Sequence, residues 1–381
     1  MNILITTYRS LGYGGAEIST KLLAESLAKL GNKVVIASSQ EYEGLDTRLF
    51  RKFERIPFFG LHEIYLSRFL SNLIDKESIE VIYAQDRLTS VSAILAAKKN
   101  KIKSSVHFRD YWFTCPYSSC MAPDYFEYDK CDWKIIIKHF KFRRWFWDFY
   151  KLIYLKKARK VLEEADLKLA NSSAVKKRLE FNGIKTNVIV MPILRDFSKI
   201  NNGDGNKIKQ RYNLRKKVIT FIGNLTPPKG IMNMIKIMPE ILNDNISFLI
   251  VGDGVLYNEI KGKNIDGVVL TGKLKYEEME DVYAVSDLIL LPSVWQEPLS
   301  GILLEAAAMR KFVLSSSSGG SKDVMKDLID PYDLEGWKMR IKELIENDKL
   351  REKKAREWSE EAKKKYDADV IARRVEVCLK E

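Results

Sequence analysis

The chain contains 381 residues, of which 46% are hydrophobic and 11% are aromatic. That is enough apolar material for two domain cores of ordinary size, and it excludes a disordered chain, a collagen-like chain and a small disulfide-stabilised scaffold. Lys and Arg outnumber Asp and Glu by 64 to 51, so the net charge is +13. A basic balance of this kind favours an anionic partner, whether nucleic acid, a membrane surface or a phosphorylated ligand.

The amino-terminal residues and the hydropathy predict where the protein resides. No apolar run approaches the ~18 to 20 residues that a membrane-spanning helix needs. Residues 2–6 already have the pattern of a strand, with no signal peptide before them. Four cysteines in a chain of this length do not indicate a disulfide framework. We therefore expect a cytoplasmic protein.

The first half of the chain alternates short aliphatic strands with longer helical segments. After the strand at 2–6 comes a turn containing Gly12, Gly14 and Gly15, and a helix is predicted over 16–30. Further strands are predicted at 33–37, 81–84, 104–107, 167–170 and 188–191. This alternation is typical of parallel strands joined by crossover helices, and it predicts a doubly wound α/β domain over 1–194.

A polar segment rich in Gly and Asn occupies 192–206, and the same alternation then resumes. The second set of predicted strands is 218–222, 247–251, 268–271, 288–292 and 312–315. The predicted fold is therefore α/β, with two doubly wound Rossmann-like domains over 1–194 and 207–350 that face a central cleft. We expect residues 351–381 to form a charged helical tail that crosses back to the first domain.

The strongest chemical signal is a pair of glutamates, Glu297 and Glu305, eight positions apart behind the predicted strand that ends at Pro292. A helix predicted to begin between Leu299 and Gly301 would present free backbone N–H groups to a phosphate. The two carboxylates could then contact different parts of one ligand. In isolation such a pair is more simply a polar loop followed by a glutamate that complements the helix dipole.

This segment resembles the donor-site signature of the retaining glycosyltransferases of family 4, also described as glycosyl transferases group 1, which have the GT-B fold. In that signature the two glutamates follow a Pro-Ser strand end and precede a serine-rich turn, which here ends in Gly319 and Gly320. Other segments resemble parts of the family in the family's order: 14–17, 107–116, 221–230 and 251–254. Each match is weak alone, but the ordered set extends from residue 2 to about residue 325 and touches both predicted domains.

The resemblance implies a retaining transfer of a sugar from a UDP- or GDP-linked donor to a glycan or lipid-linked acceptor, in the synthesis of a surface polysaccharide or glycolipid. It implies that Glu305 binds the ribose hydroxyls, that Glu297 lies near the transferred sugar and that the loop at Leu274 faces the base. The donor diphosphate would be held by a lysine and by backbone N–H groups. These residues are Lys229, Gly14, Gly15, Ser300, Gly301 and Ile302.

One position departs from the family pattern. Asn224 stands where the family has an arginine that contacts the diphosphate. The change removes a formal charge, so either another Lys or Arg compensates or the donor binds more weakly than usual.

The resemblance also places His107 near the donor sugar or the acceptor, and it makes Asp110 a candidate base or orienting group on the acceptor side. The structural alternatives are a hydrogen-bonded histidine at a strand end and a loop-capping aspartate. Cys115, Cys120 and Cys131 lack the close pairs of a structural zinc site. We therefore expect no metal and no cofactor, because the nucleotide sugar is itself a substrate.

Residues 134–160, the basic aromatic stretch, contain ten Lys or Arg and one acid, Asp148. On a single helix its apolar side chains would form two faces. One face comprises Phe140, Trp147, Tyr150 and Tyr154, and the other comprises Phe142, Phe146, Phe149 and Ile153. One face can pack on the domain, and the other suits an anionic membrane, which would make the protein peripheral on the inner face. The alternative is that both faces are buried.

Three classes of function remain at this stage. The first is a sugar transferase, the second a catalytically inactive GT-B protein that binds a nucleotide or a sugar, and the third a nucleic-acid-binding protein. No helix-turn-helix, zinc-finger or RNA-recognition signature is present, which argues against the third. The presence of Glu297, Glu305 and Lys229 together favours the enzyme over the inactive protein.

Overall fold

The structure is a computed structural model that describes residues 1–8, 15–50, 59–114, 120–198 and 203–381. These residues form two compact units. The first comprises Met1–Leu194 with Ala368–Glu381, and the second comprises Arg195–Asp367. The segment predicted as one helical tail over 351–381 is thus divided, because one helix, Asp348–Tyr366, ends in the second unit and the next, Ala368–Lys380, belongs to the first.

The first unit is built on a parallel sheet. Its described strands are β1 Asn2–Thr6, β2 Lys33–Ser38, β3 Thr47–Leu49, β4 Val81–Ala84, β5 Lys103–Phe108, β6 Leu167–Ala170 and β7 Val188–Val190. They lie in the order β3-β2-β1-β4-β5-β6-β7. Every pairing is parallel, as the alternation of strands and helices predicts. The strands up to β3 are added on one side of β1 and the strands from β4 onward on its other side, so the strand order reverses between β1 and β4.

Helices cover this sheet. They are α1 Gly15–Lys29, α2 Phe59–Glu77, α3 Arg87–Asn100, α4 Trp133–His139, α5 Trp145–Glu163, α6 Ser173–Phe181 and, from the end of the chain, α15 Ala368–Lys380. A short 3-10 turn, Phe142–Arg144, lies between α4 and α5. Helix α15 places Ile371, Val375 and Leu379 on one face, and this face packs with the buried side chains of β1 and α1 in one core. Its apolar period of about four residues is the reason it docks there.

The second unit has the same architecture. Its described strands are β8 Lys217–Ile222, β9 Ile246–Val251, β10 Val268–Gly272, β11 Leu288–Leu291, β12 Val313–Ser316 and β13 Leu328–Ile329, in the order β10-β9-β8-β11-β12-β13. Its helices are α7 Gly205–Arg211, α8 Ile231–Ile237, α9 Tyr257–Gly262, α10 Met279–Val285, α11 Gly301–Ala308, α12 Ser321–Val324, α13 Leu334–Glu346 and α14 Asp348–Tyr366. Three 3-10 turns, Pro227–Lys229, Met238–Glu240 and Tyr276–Glu278, complete it.

The prediction of two doubly wound parallel sheets is confirmed. Two strands were missed, β3 and β13, which have three and two residues and lie at the edges of their sheets. Strands this short carry no usable hydrophobic period. In the second sheet the order reverses between β8 and β11, and ligands of open α/β sheets bind outside the carboxyl ends of the strands at such a point.

The loops that follow β8 and β11 approach each other at backbone distance. Gly230 has a φ of +71°, and a Cβ added there would lie 1.8 Å from the carbonyl oxygen of Pro292. The N–H of Val294 donates to the carbonyl of Pro228 at 2.9 Å. Only glycine provides both the left-handed conformation and the space, so this position fixes how the two loops meet.

We expect Gly230→Ala to lower the free energy of unfolding by about 2 kcal/mol or more, because the substitution forces a side chain into a left-handed residue and onto a carbonyl. Gly262→Ala is the matched control, since a Cβ there meets nothing within 4 Å. Urea unfolding of both variants checks this prediction, and equal stability of the two would contradict it.

Candidate active site

Two of the residues predicted from the sequence meet where the second sheet reverses. Lys229 ends the 3-10 turn that follows β8, and Glu297 lies in the loop that follows β11. Lys229 Nζ is 2.5 Å from Glu297 Oε1, and the Ser293 hydroxyl donates to Glu297 Oε2 at 2.8 Å. The two charged side chains are only 19% and 12% exposed. The structure therefore makes Lys229 and Glu297 a partly buried ion pair.

The turn after β12, which contains Gly319 and Gly320, contacts the backbone around Glu297. The N–H of Gly320 donates to the Glu297 carbonyl at 2.8 Å, and the N–H of Gly319 bonds the side chain of Gln296 at 3.0 Å. A Cβ on Gly319 would lie 1.9 Å from the Glu297 carbonyl oxygen. The serine-glycine turn after β12 is thus part of the structure that positions Glu297.

Helix α11 begins at Gly301, within the range predicted from the sequence, and its first turn includes Ile302. Ser300 is the N-cap residue, but its side chain makes no capping hydrogen bond. Leu299 and Ser300 are both buried. The first N–H groups of a helix have no partner inside the helix and form a favourable site for an anion. This end of α11 therefore has the local geometry that phosphate binding requires.

Glu305 lies one turn inside α11, and both of its carboxylate oxygens are engaged. Arg195 Nη2 is 2.5 Å from Oε1, and the Tyr283 hydroxyl donates to Oε2 at 2.7 Å. Burial, and next the charge of Glu305, hold the pKa of Tyr283 well above its usual range, so this phenol stays a hydrogen-bond donor. A carboxylate accepts about four hydrogen bonds, so Glu305 can still accept from hydroxyl groups.

Sequence reasoning missed Arg195 and Tyr283. Arg195 follows the first unit in a segment without a motif, and Tyr283 is on the buried face of α10 beside Val282. The signal in the sequence was Glu305 itself, because a charged residue on an otherwise apolar helix needs polar partners when it is buried.

The remaining donor residues have these positions. Asn224 follows β8, is exposed and adds no charge. Leu274 is half-buried in the loop after β10, and Gly15 is the first residue of α1. Gly14 lies outside the described residues. The roles of these residues toward a donor stay predictions.

His107, at the end of β5, is enclosed in the first unit. Its Nε2 is 2.8 Å from the Met191 carbonyl and its Nδ1 is 2.8 Å from the Tyr83 hydroxyl. Because a carbonyl can only accept, Nε2 carries the proton and Nδ1 accepts from Tyr83. Burial, together with the nearby Arg109, lowers the pKa of His107 to about 3. A catalytic role for His107 stays a prediction, and the bonding of both nitrogens favours the structural alternative.

Asp110 and its aromatic neighbours also support the chain locally. Asp110 Oδ1 accepts the N–H of Trp112 at 2.7 Å, the contact expected of a loop-capping aspartate. Tyr111, Trp112 and Phe113 are buried, and Trp112 stacks on Phe108 with ring centroids 5.7 Å apart. The described residues of the segment 107–116 thus contribute mainly core side chains. The proposed role of Asp110 on the acceptor side stays a prediction.

Two of the three clustered cysteines, Cys120 and Cys131, lie in the described part of the chain. Cys120 and Cys131 are buried, and the Thr114 hydroxyl is 2.7 Å from the sulfur of Cys120. Cys115 lies outside the described residues. Among the residues that the structure describes, no three His, Cys, Asp or Glu side chains come together as they would around a metal ion.

The basic aromatic stretch is two helices rather than one. Helix α4 ends at His139, Phe140 and Lys141 are extended, and α5 begins at Trp145. The single-helix projection was therefore wrong before residue 145. Phe140 is buried, whereas Phe142, Phe146 and Ile153 are 77%, 74% and 61% exposed. Within the described ranges, no helix combines the length and the apolar character that crossing a membrane requires.

Two family models match the chain. The model of "Glycosyltransferase Family 4" matches residues 13–193, and the model of "Glycosyl transferases group 1" matches residues 204–365. The two matches follow one another and together span nearly all of the chain.

Individual relatives agree with these matches. An uncharacterized 42.6 kDa protein in the cps region of Klebsiella pneumoniae is 26% identical, over 88% of this chain and 90% of its own length. The lipopolysaccharide 1,2-N-acetylglucosaminetransferase of Salmonella typhimurium is 27% identical, over 45% of this chain and 51% of its own length. The crystal structure of Anabaena HepE in complex with UDP-glucose superposes with a TM-score of 0.75 at 17% identity, over 100% of this chain and 99% of the other. This last likeness shows that the fold is GT-B.

The burial of His107 predicts how stability depends on pH. Its folded pKa, about 3, is below the ordinary value of 6.5, so its contribution is complete above pH 6.5 and is lost as the pH falls toward 3. We expect the wild-type melting temperature to drop between pH 7.5 and pH 5.0, and the drop to be smaller in His107→Gln. Thermal unfolding of both proteins at both pH values checks this, and an equal drop would show that His107 does not titrate as described.

Proposed function

The chain belongs to the family 4 glycosyltransferases of the GT-B fold, and from this premise we propose that it transfers a sugar with retention from a UDP- or GDP-linked donor. The proposed acceptor is a glycan or a lipid-linked sugar of a surface polysaccharide or glycolipid. The observation that carries the proposal is the Lys229–Glu297 ion pair at the reversal point of the second sheet, with the uncapped end of α11 in the same loop region.

The charges of the site fit a nucleoside diphosphate. The diphosphate needs positive charge and oriented donors, which Lys229 and the backbone N–H groups of Ser300, Gly301 and Ile302 would provide. Glu305 would accept hydrogen bonds from the two ribose hydroxyls while Arg195 and Tyr283 hold its carboxylate in place. The structure of HepE with UDP-glucose supports a donor of this class.

The reaction breaks the bond between the anomeric carbon and the diphosphate oxygen, and the electron pair leaves with the diphosphate. An oxygen of the acceptor forms the new bond to the same carbon. Positive charge develops on the sugar and negative charge on the departing phosphate. We propose that Glu297 stabilises the first charge, that Lys229 stabilises the second, and that Asp110 receives or orients the acceptor proton.

The alternative function is a catalytically inactive GT-B protein that binds a nucleotide or a sugar. Slow release of UDP or GDP from a sugar nucleotide distinguishes the two functions, because an inactive protein binds the donor without turnover. We favour the enzyme because Lys229 and Glu297 form an ion pair, and binding of a nucleotide alone does not need the negative charge of Glu297.

We also propose that the protein is peripheral on an anionic membrane and binds it through the basic aromatic stretch. Phe142, Phe146 and Ile153 are exposed in a region whose lysines at 134, 138, 141, 156 and 157 are exposed too. Exposed aromatic rings among cations suit the boundary between lipid headgroups and acyl chains. A lipid-linked acceptor would be presented at the same surface.

We expect Glu297→Gln to reduce turnover roughly 100-fold or more while the donor still binds, because the charge that opposes the developing sugar cation is lost. A thermal-shift panel of UDP-, GDP- and ADP-sugars first identifies the donor, since a ligand of the native state raises its melting temperature. Turnover is then measured as release of the nucleoside diphosphate. Glu357→Gln, on the exposed surface of α14, is the matched control. Near-normal turnover of Glu297→Gln, or no shift with any donor, would contradict the proposal.

Membrane binding has its own test. We expect Phe142→Ala combined with Phe146→Ala to reduce co-sedimentation with phosphatidylglycerol vesicles about tenfold or more. The reason is that two rings that would be buried among the lipids on binding are removed. Phe181→Ala removes a comparably exposed ring on α6 and should bind like the wild type. Equal binding of the double variant and the wild type would refute the assignment of this surface.

A further inference from the structure

Arg195 is a site residue that no motif indicated, and we propose that it is the second cation of the donor site. In this proposal Arg195 binds the diphosphate of the nucleotide and supplies the charge that Asn224 does not carry. The inference rests on the proposed function, because it assumes that the diphosphate lies at the amino-terminal end of α11.

The position of Arg195 is fixed by both its backbone and its side chain. Its N–H donates to the carbonyl of Tyr366 at 3.1 Å, and it forms a parallel bridge with Asp367. Its guanidinium is 5% exposed and bonds Glu305 at 2.5 Å. A side chain held in this way loses little further entropy on binding a ligand.

Gly301 shows that the guanidinium lies against the first turn of α11. A Cβ added to Gly301 would be 2.7 Å from Arg195 Nη2 and 3.4 Å from Glu305 Oε1. Any larger residue at this position would displace the guanidinium. The absence of a side chain at 301 therefore leaves room for the guanidinium of Arg195 beside the first turn of the helix.

The electrostatics of this arrangement favour an anion over a purely structural role. The amino-terminal end of a helix is positive, so a cation there is unfavourable and an acidic group is the stabilising choice. A nearly buried arginine beside this end adds a second positive charge to that of the helix end, and Glu305 is paired with it. A bound diphosphate satisfies both the helix end and the guanidinium.

The chemistry of arginine allows Arg195 to contact Glu305 and a phosphate together. The planar guanidinium carries five N–H donors on more than one edge, and paired bonds to phosphate oxygens are its preferred geometry. Lys229, which is also predicted to bind the diphosphate, is paired with Glu297. Arg195 would thus link the ribose-binding carboxylate to the diphosphate, with Asn224 neutral and exposed on the neighbouring loop.

The test compares ligands with and without phosphate. We expect Arg195→Gln to weaken binding of UDP about 10- to 100-fold and binding of uridine less than about threefold, as measured by calorimetry, since one charge-assisted contact is lost. Arg195→Lys keeps the charge but not the paired N–H donors of the guanidinium. Its affinity for UDP should therefore fall by an intermediate factor, and its affinity for uridine should stay unchanged. GDP and guanosine replace these probes if the donor panel selects a GDP-sugar.

Three further variants make the result decisive. Adding Asn224→Arg to Arg195→Gln should restore at least part of the UDP affinity, because it returns a cation to the site. Glu305→Gln should weaken uridine at least as much as UDP, because it acts on the ribose and leaves the charge of Arg195 for the diphosphate. Arg215→Gln removes an ion-paired arginine just before β8, at the amino-terminal end of the strands, and should leave both affinities unchanged.

Equal loss of UDP and uridine affinity in Arg195→Gln would show that Arg195 only positions Glu305, and unchanged affinities would show that it has no role in binding. Either result overturns the inference while leaving the proposed function intact. The proposed function fails on a different result, a wild-type protein that binds none of the sugar nucleotides.

Discussion

The ion pair of Lys229 and Glu297 is the constraint on which the candidate site depends. Each charge would be costly in its partly buried position without the other, so the two loops that carry them must stay together. The hydrogen bond from Val294 to the carbonyl of Pro228 ties the same loops through their backbones. The two loops therefore meet at the reversal of the second sheet, the place where ligands of open α/β sheets commonly bind.

Glu305 shows how one fold uses buried polar contacts for two purposes. In the second unit Arg195 and Tyr283 hold both carboxylate oxygens of Glu305, the arrangement that the proposed binding of ribose hydroxyls would use. In the first unit His107 is bonded by Tyr83 and Met191 and is kept neutral by burial. The first arrangement retains charge and acceptor capacity, whereas the second uses its hydrogen bonds to complete the interior.

The basic aromatic stretch owes its exposed rings to a break in the helix. Because Phe140 turns into the core and the chain is extended at Phe140 and Lys141, the following Phe142 and Phe146 project outward. Two exposed phenylalanines close in sequence are unfavourable in water, since each leaves its apolar surface uncovered. Their place among exposed lysines is the observation that supports the proposed anionic membrane surface.

The sequence by itself determined the two doubly wound sheets, the start of α11 near Gly301 and the family, because alternating strands and helices and an ordered set of short motifs are local patterns. It also predicted Lys229 and Glu297 as site residues, although not that their side chains pair. Only the tertiary structure decided that His107 is enclosed and that Arg195 reaches α11. These contacts join residues 84 and 110 positions apart, and no periodicity or spacing encodes a contact between such distant positions.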